Sequence, residues 1–286
     1  MLAEEVKMAE PLSGRVALVT GAGRGLGAAH ARMLASQGAA VVVNDVGSSV
    51  DGRSTGEDVA EAVVAEIVRA GGSAVADISD ISTLDGAASA VRRAVNAFGT
   101  LDILVNNAGI VVGGGIGEVS EDDIDRLLAV HVKGSIGTMR AAWPVMSAQR
   151  YGRIVNTISE AGLDRRMAAG VGYAAAKAAV WGLTMAAANE GAAVGITVNA
   201  ISPGARTRMS AGFLAAAPDS GLDLAPEHVS RVVAALVRQD ADDVSGHVIH
   251  AAGGQVREYI LWRSADTELV SRLSAQPVGW TPPGLT

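Results

Sequence analysis

Residues 15–27 read RVALVTGAGRGLG, and this stretch decides the fold. Residues 16–20 are mostly apolar and β-branched, which is typical of a short buried strand. The glycines Gly21, Gly25 and Gly27 follow at once and lead into a helical pattern that continues through Leu34. A glycine-rich turn between a strand and a helix aims backbone N–H groups and the positive helix end at a phosphate. An ordinary tight loop has the same composition, so the turn needs support from the rest of the chain.

The alternation of strand and helix continues along the chain without a long linker. It predicts an α/β fold, a Rossmann-type doubly wound parallel sheet flanked by helices, as a single domain over residues 1–286. We expect a polar leader at 1–12, a substrate lid at about 203–226 and a C-terminal tail at about 255–286 that packs on the domain or on a partner subunit. The predicted strands are residues 15–20, 40–45, part of 73–81, 102–105, 153–159, 196–201 (broken at 202–204) and 247–250. A long helix over about 120–149 contains Pro144, where we expect a kink.

Composition and charge narrow the range of functions. The chain has 286 residues, a formal net charge of −7 and no cysteine. The negative charge argues against a nucleic-acid partner, and the missing cysteines exclude disulfides, thiolate catalysis and cysteine-ligated metals. The five histidines lack the spacing of a metal site, so no metal is predicted. Polar residues interrupt the longest apolar run, 174–198, and the first residues lack a signal-peptide core, which together predict a cytoplasmic protein with no membrane partner.

Tyr173 and Lys177 lie one helical turn apart in an alanine-rich run, so both side chains point the same way. A lysine charge close to a phenol favours the phenolate and lowers the phenol pKa from about 10. Such a tyrosine can exchange a proton with an alcohol or a carbonyl. Ser159 ends the preceding predicted strand, so a hydroxyl, a phenol and an ammonium converge at the mouth of the sheet. For an isolated pair, the alternative is a tyrosine packed at a helix start and a lysine that reaches solvent.

Asp45 ends the second predicted strand about twenty residues beyond the glycines, where a dinucleotide site binds the adenosine ribose hydroxyls. Its carboxylate would repel a 2′-phosphate, so we expect NAD rather than NADP. Arg24 is a contrary signal, since a cation in the glycine turn could meet that phosphate, but we interpret it as a solvated loop residue. After the fourth strand, Asn107 and Gly109 suit either a backbone that passes close under a cofactor or a simple asparagine-rich turn.

In order and spacing, these motifs resemble those of the short-chain dehydrogenase/reductase family over residues 12–254. They are Thr20-Gly21-x-x-x-Gly25-x-Gly27, Asn106-Asn107-Ala108-Gly109, Ser159, Tyr173-x-x-x-Lys177 and Pro203-Gly204. The resemblance implies hydride transfer between a nicotinamide cofactor and a secondary alcohol or ketone. It implies that Tyr173 is the general acid/base, that Ser159 hydrogen-bonds the reacting oxygen, and that Lys177 holds the nicotinamide ribose and lowers the tyrosine pKa. The implied cofactor-binding residues are Gly21, Arg24, Gly25, Leu26, Gly27, Asp45, Asp80, Ile81, Asn107, Ala108, Gly109, Tyr173, Lys177, Pro203 and Gly204.

Two further positions bear on this resemblance. Asp80 and Ile81 are the pair that it puts beside the adenine ring, although Asp77 and Ile78 fit the same pattern. His131 stands in the long helix where the family usually has an asparagine that supports a water-borne proton relay. The departure puts that relay in question, although an imidazole could serve it as a further catalytic group.

A narrower resemblance rests on residues 43–47, His131, the Arg208-Met209 step and the segments 252–254 and 261–263. It is to the (3R)-hydroxyacyl-CoA dehydrogenase part of peroxisomal multifunctional enzymes and its bacterial relatives. It implies NAD-dependent oxidation of a 3-hydroxyacyl-CoA, with Arg206 and Arg208 either at the CoA phosphates or solvated and paired within the lid.

Other functions fit the same motifs. A dehydrogenase of a steroid, a terpenoid or another small alcohol would need the same catalytic residues and a different lid. A dinucleotide-sensing protein without catalysis fits less well, because a sensor has no need of Ser159, Tyr173 and Lys177 together. The family resemblance also implies a homo-oligomer, a homodimer or homotetramer built on the two long helices.

Overall fold

The computed structural model describes residues 10–53, 55, 57–167, 169–216 and 221–261. In this part of the chain the strands are β1 Val16–Thr20, β2 Ala40–Asn44, β3 Ser73–Asp77, β4 Ile103–Asn106, β5 Gly152–Thr157, β6 Ile196–Gly204, β7 Val248–Ala252 and β8 Gln255–Glu258. They form one sheet in the order β3-β2-β1-β4-β5-β6-β7-β8. The first seven strands are parallel, and β8 is antiparallel to β7. The predicted Rossmann-type sheet is confirmed.

Helices cover both faces of the sheet. They are α1 Gly25–Ser36, α2 Val59–Arg69, α3 Leu84–Phe98, α4 Glu121–Leu127, α5 Gly134–Gln149, α6 Val171–Gly191, α7 Ala211–Ala216 and α8 Pro226–Leu236. Successive side chains of a strand point to opposite faces. In β1, Ala17 and Val19 pack with α1, α2 and α8, whereas Val16 and Leu18 pack with α3, α5 and α6. Because both faces are covered, the central strands are apolar on both sides, and the polar site is left to the sheet edge.

The strand order reverses between β1 and β4. The chain runs from β1 outward to β2 and β3, then returns to place β4 on the other side of β1. In such sheets a crevice opens outside the carboxyl ends of the strands at this switch point. The residues that follow β1, β2, β4 and β5 therefore meet at one edge.

The eighth strand was not predicted. Residues 255–258 were assigned to a tail, but they form β8, joined to β7 through Gly253 and Gly254. Both glycines have positive φ angles, 54° and 79°, as a two-residue hairpin turn of this type requires. A Gly-Gly pair after an apolar strand is the signal that could have found this hairpin. The rest of the predicted tail, 262–286, and most of the leader, 1–9, lie outside the described residues.

The sixth strand is longer than predicted. It does not break at residue 202 but continues to Gly204, and Pro203 is paired in register with Ala251 of β7. Pairing of β5 with β6 ends at Ile201, so the proline lies where the strand has become an edge. There its missing N–H leaves no gap in a central ladder. The expected lid thus begins inside the sheet and includes α7, while 217–220 lie outside the described residues.

The long helix predicted over 120–149 is interrupted, but not at Pro144. The chain stays helical from α4 through a π-helical turn, Leu128–Lys133, into α5, which runs on through Pro144. A π-helical turn holds one more residue than an α-helical one and occurs frequently at functional sites. This turn contains His131.

Within the described part of the chain, no helix combines the length and apolarity needed to span a bilayer.

Candidate active site

A cavity of about 1040 Å³ opens at the carboxyl edge of the sheet. Every predicted cofactor-binding residue lines it, and so does Ser159.

The structure also favours one of the two Asp-Ile pairs that were candidates for the position beside the adenine ring. Asp80 and Ile81 line the cavity, whereas Ile78 is 71% exposed and the Asp77 carboxylate accepts a hydrogen bond of 2.6 Å from Asn44.

The glycine turn adopts a backbone that other residues resist. Gly21 has a φ of +61° and Gly25 a φ of +53°. A Cβ on Gly27 would lie 2.2 Å from the carbonyl oxygen of Gly21, so the first turn of α1 packs directly on the loop. The first N–H groups of a helix have no partner within it, and the residues that carry them here, Gly25, Leu26 and Gly27, line the cavity. The turn is therefore shaped to receive the phosphates of a dinucleotide.

The segment after β4 stabilises the glycine turn through hydrogen bonds. The Asn107 side-chain amide donates to the carbonyl oxygens of Thr20 and Gly21, at 2.9 and 3.1 Å. The Thr20 hydroxyl in turn accepts from the backbone N–H groups of Asn107 and Ala108, both at 3.0 Å. Asn107 thus holds the loop in shape with its amide group instead of presenting that group to a ligand.

Asp45 is fixed at the end of β2 by two backbone donors. Its Oδ2 accepts from the N–H of Gly23 at 2.9 Å, and its Oδ1 accepts from the N–H of Gly47 at 2.8 Å. Arg24, interpreted as a solvated loop residue, has a charged partner as well. Its guanidinium forms an ion pair with Glu57, and its side chain is 30% exposed. The Glu57 carboxylate thus pairs with the Arg24 cation, which in the sequence had counted against NAD.

Ser159, Tyr173 and Lys177 lie together at the other side of the cavity. Ser159 caps a short 3₁₀ turn, Glu160–Gly162, and its hydroxyl accepts from the N–H of Ala161 at 3.2 Å. The Lys177 ammonium is buried and donates to the carbonyl oxygen of Thr157 at 2.7 Å. Its nitrogen lies 5.7 Å from the centre of the Tyr173 ring.

The pKa of Tyr173 differs from the prediction. Burial raises the pKa of its phenol, and a hydrogen bond with Ser159 opposes part of that rise. Burial also lowers the pKa of Lys177 to about 7. The expected lowering of the tyrosine pKa is therefore wrong, because burial is the largest influence on the phenol and raises its pKa.

His131 lies behind the cavity wall and is 2% exposed. Burial, and then the charge of Lys177, hold the pKa of its imidazole well below the ordinary value, so the ring is neutral. Its Nε2 lies 2.8 Å from the carbonyl oxygen of Ile110 and 3.3 Å from the backbone nitrogen of the same residue, and its ring meets Tyr173 edge-on at 5.5 Å. Among the described residues Nδ1 has no partner, although it is buried. A Cβ on Gly109 would lie 2.7 Å from this ring, so the glycine makes room for it.

A buried polar network beneath the site was missed by sequence reasoning. Asn156 of β5 accepts from Asn106 of β4 at 2.9 Å and donates to Thr184 of α6 at 3.0 Å. Thr138 of α5 donates to Asn106 at 2.7 Å. The network ties two strands to the helix that carries Tyr173. Asparagines inside apolar strands were the available signal, since a buried amide needs partners.

An apolar part of the cavity wall comes mainly from the lid region. It had no readable signal in the sequence, because the segment has little periodicity. Its members are Val111, Met167, Met209, Phe213, Leu214 and Leu224.

Known proteins share this architecture. A family described as short chain dehydrogenase matches residues 15–216. Hydroxyacyl-CoA dehydrogenase ChsB1 of Mycobacterium tuberculosis is 39% identical over 96% of this chain and 87% of its own length. The peroxisomal hydratase-dehydrogenase-epimerase of Neurospora crassa is 39% identical over 94% of this chain, which spans only 30% of that relative. A short chain dehydrogenase from Burkholderia cenocepacia, solved in complex with NADP, superposes with a TM-score of 0.75 at 36% identity, covering 85% of this chain and 98% of the other.

The extent of these matches and the site geometry agree. The chain belongs to the short-chain dehydrogenase family.

Proposed function

We propose that this protein is an NAD-dependent dehydrogenase that interconverts a secondary alcohol and a ketone, with 3-hydroxyacyl-CoA thioesters as its substrate class. The observation that carries the proposal is the convergence of Ser159, Tyr173 and Lys177 on one cavity with a glycine turn that fits a dinucleotide. Once bound, the nicotinamide supplies the hydride acceptor or donor.

The side chains divide the remaining work. Tyr173 takes the hydroxyl proton of the alcohol or returns one to the ketone oxygen. Ser159 hydrogen-bonds that oxygen and the phenol, and so fixes the direction of proton transfer. Lys177 holds the nicotinamide ribose from its place on the Thr157 carbonyl. His131 keeps the phenol ring oriented by its edge-on contact, and its unpartnered Nδ1 accepts a hydrogen bond in the proton relay.

The charges at the adenosine end support NAD. Asp45 lines the cavity at the end of β2, and the guanidinium of Arg24 in the glycine turn is ion-paired with Glu57. A 2′-phosphate would bring two negative charges toward these carboxylates with no free cation in the glycine turn to meet them. The ribose hydroxyls of NAD instead offer donors to a fixed carboxylate.

Calorimetry on wild type is expected to show tighter binding of NAD than of NADP. Asp45→Asn should weaken NAD binding about tenfold, since a hydrogen bond to a charged group is worth about 1.5–3 kcal/mol. Glu57→Gln should release Arg24 and improve NADP binding by up to about fivefold, the range of an exposed ion pair. Asp243→Asn, an exposed acid before β7, serves as the control. Tighter NADP than NAD binding in wild type would contradict the cofactor assignment.

The substrate class is supported by the lid and by one relative. The apolar wall of Met209, Phe213, Leu214 and Leu224 suits an acyl chain. Arg206 is exposed beside Ala205 and Thr207, which line the cavity, so its guanidinium can meet a phosphate at the rim. The name of the Mycobacterium relative specifies a hydroxyacyl-CoA dehydrogenase, and the name of the Neurospora relative includes a dehydrogenase.

Turnover of 3-hydroxyacyl-CoA, followed by absorbance of the reduced cofactor, is expected to exceed that of steroid, terpenoid and short-chain secondary alcohols by about tenfold or more in kcat/KM. Arg206→Gln should raise KM for the CoA ester but not for the N-acetylcysteamine thioester, which lacks the phosphates. If a steroid or a terpenoid were turned over efficiently and the CoA thioester were not, the proposed substrate class would be wrong. Cofactor binding without turnover of any alcohol would favour a dinucleotide sensor.

Assembly and location belong to the same proposal. The exposed side of α6 carries only small residues over three turns, Ala175, Ala179, Gly182 and Ala186, which supports close packing of two such helices in a homodimer or homotetramer. A single domain and a cytoplasmic location complete the proposal.

A further inference from the structure

The position of the Ser159 hydroxyl depends on the turn that follows it. The N–H of Gly162 donates to the carbonyl oxygen of Ser159 at 3.0 Å, and the N–H of Ala161 donates to its Oγ at 3.2 Å. Ser159 and Tyr173 line the same cavity, and the Ser159 side chain lowers the pKa of the Tyr173 phenol. Any shift of the turn therefore moves the Ser159 hydroxyl relative to the phenol.

Contacts with the hairpin of β7 and β8, and with the residue that follows it, hold the turn Glu160–Gly162 in place. Glu160, its first residue, accepts a short hydrogen bond from the hydroxyl of Tyr259, which directly follows β8. The Nδ1 of His250 on β7 lies 3.6 Å from the same carboxylate oxygen. The Tyr259 ring packs on a cluster that includes Ile158 and stands edge-on to His250 at 6.4 Å. A residue 99 positions away in sequence thus fixes the side chain next to Ser159.

The groups around this contact keep the Tyr259 hydroxyl protonated. Burial, the hydrogen bond to Glu160 and the negative charges of Glu160 and Asp164 raise the pKa of Tyr259 to about 12, and Arg166 opposes them only in part. The Tyr259 phenol therefore stays a hydrogen-bond donor. Arg166 is itself paired with Asp164, with Nη2 and Oδ2 2.5 Å apart.

We propose that Tyr259 and Glu160 are positioning residues for the reaction: their hydrogen bond anchors the turn that aims the Ser159 hydroxyl at Tyr173. The inference rests on the proposed function, since it assigns the anchor to the same site. It gives β8 a role in catalysis although no residue of that strand lines the cavity among the described residues.

The test compares single-atom and side-chain changes. Tyr259→Phe removes only the hydroxyl and should lower kcat about tenfold, with KM for the cofactor and the thermal midpoint nearly unchanged. Tyr151→Phe is the matched control, because its hydroxyl donates to the Val237 carbonyl at 3.3 Å, outside the cavity. Glu160→Ala should reproduce the loss, whereas Glu160→Gln, whose amide oxygen still accepts from Tyr259, should restore most of the activity.

Two outcomes would show that the residues act as a pair through Ser159. The Tyr259→Phe/Glu160→Ala double variant should be no slower than the slower single variant, since the two changes break one contact. The Ser159 bond lowers the Tyr173 pKa, so loosening it should move the alkaline rise of alcohol oxidation to higher pH in Glu160→Ala. Additive losses, or an unshifted pH profile, would overturn the inference.

A measurement without turnover separates this inference from the proposed function. The chain has three tyrosines, so their ring carbons can be followed individually by ¹³C nuclear magnetic resonance, with Tyr173→Phe for assignment. In the cofactor-free protein, Glu160→Ala should raise the pKa of Tyr173 and Glu160→Gln should not. An unchanged Tyr173 pKa overturns the inference even if the wild type is an active dehydrogenase. A wild type that turns over no alcohol overturns the proposed function alone.

Discussion

Tyr173→Phe is expected to lower kcat about 10²–10⁴-fold, the range that a positioned general acid or base contributes. The ring fills the same space and keeps its edge-on contact with His131, but the hydroxyl that is proposed to exchange the substrate proton is lost. Cofactor affinity should remain close to that of wild type, because the glycine turn, Asp45 and Lys177 are untouched. Stopped-flow turnover together with calorimetric titration of NAD would measure both quantities.

Wild type should also show a pH dependence that the variant lacks. Burial raises the Tyr173 pKa in the free protein, so the phenolate that accepts the alcohol proton forms only as the pH rises. Alcohol oxidation should therefore increase toward alkaline pH, while ketone reduction, which needs the protonated phenol, should be favoured at lower pH. Retained turnover in Tyr173→Phe would refute the role given to this residue.

Gly162→Ala is expected to lower kcat about 10²-fold, as a misplacement of about 1 Å can do. A Cβ at this position would lie 2.7 Å from the backbone nitrogen of Ala178 and 3.0 Å from the carbonyl oxygen of Ala174. Both atoms belong to the backbone of α6, which cannot yield as a flexible side chain would. The turn after Ser159 would move off the helix, and the serine hydroxyl would move away from Tyr173.

Gly117→Ala is the matched control, since nothing lies within 4 Å of a Cβ there and its φ is not in the left-handed region. Circular dichroism of both variants would establish that they fold. Steady-state kinetics should then show normal turnover for Gly117→Ala and a lowered kcat, with little change in cofactor affinity, for Gly162→Ala. Wild-type kcat in Gly162→Ala would mean that the turn adapts without consequence for Ser159.

The parts of the site that could be predicted are those that depend on short-range sequence patterns. The glycine turn, Asp45 and the Tyr173–Lys177 pair each depend on spacing within one strand or helix, and the structure brings all of them to one cavity. The topology followed because parallel strands with helical crossovers leave few alternatives.

The remainder depends on contacts between distant segments. The pairing of Arg24 with Glu57, the Asn156 network and the hydrogen bond between Glu160 and Tyr259 join residues with no shared local pattern. The Tyr173 pKa was misjudged for the same reason, since its burial is a property of the packed protein and not of the Tyr-x-x-x-Lys spacing. The π-helical turn was hidden because its residues have ordinary helical propensity.

The π-helical turn between α4 and α5 constrains both engineering and evolutionary drift. A single-residue deletion within Leu128–Lys133 would let α4 and α5 merge into one regular helix, a change that thermostability screens could select. It would also rotate one half of the helix against the other by about 100°, the angle per residue of an α-helix. His131 would leave its place against Tyr173, so the more durable protein would be the poorer catalyst. The number of residues in this turn, more than their identity, is therefore the quantity that selection for activity must preserve.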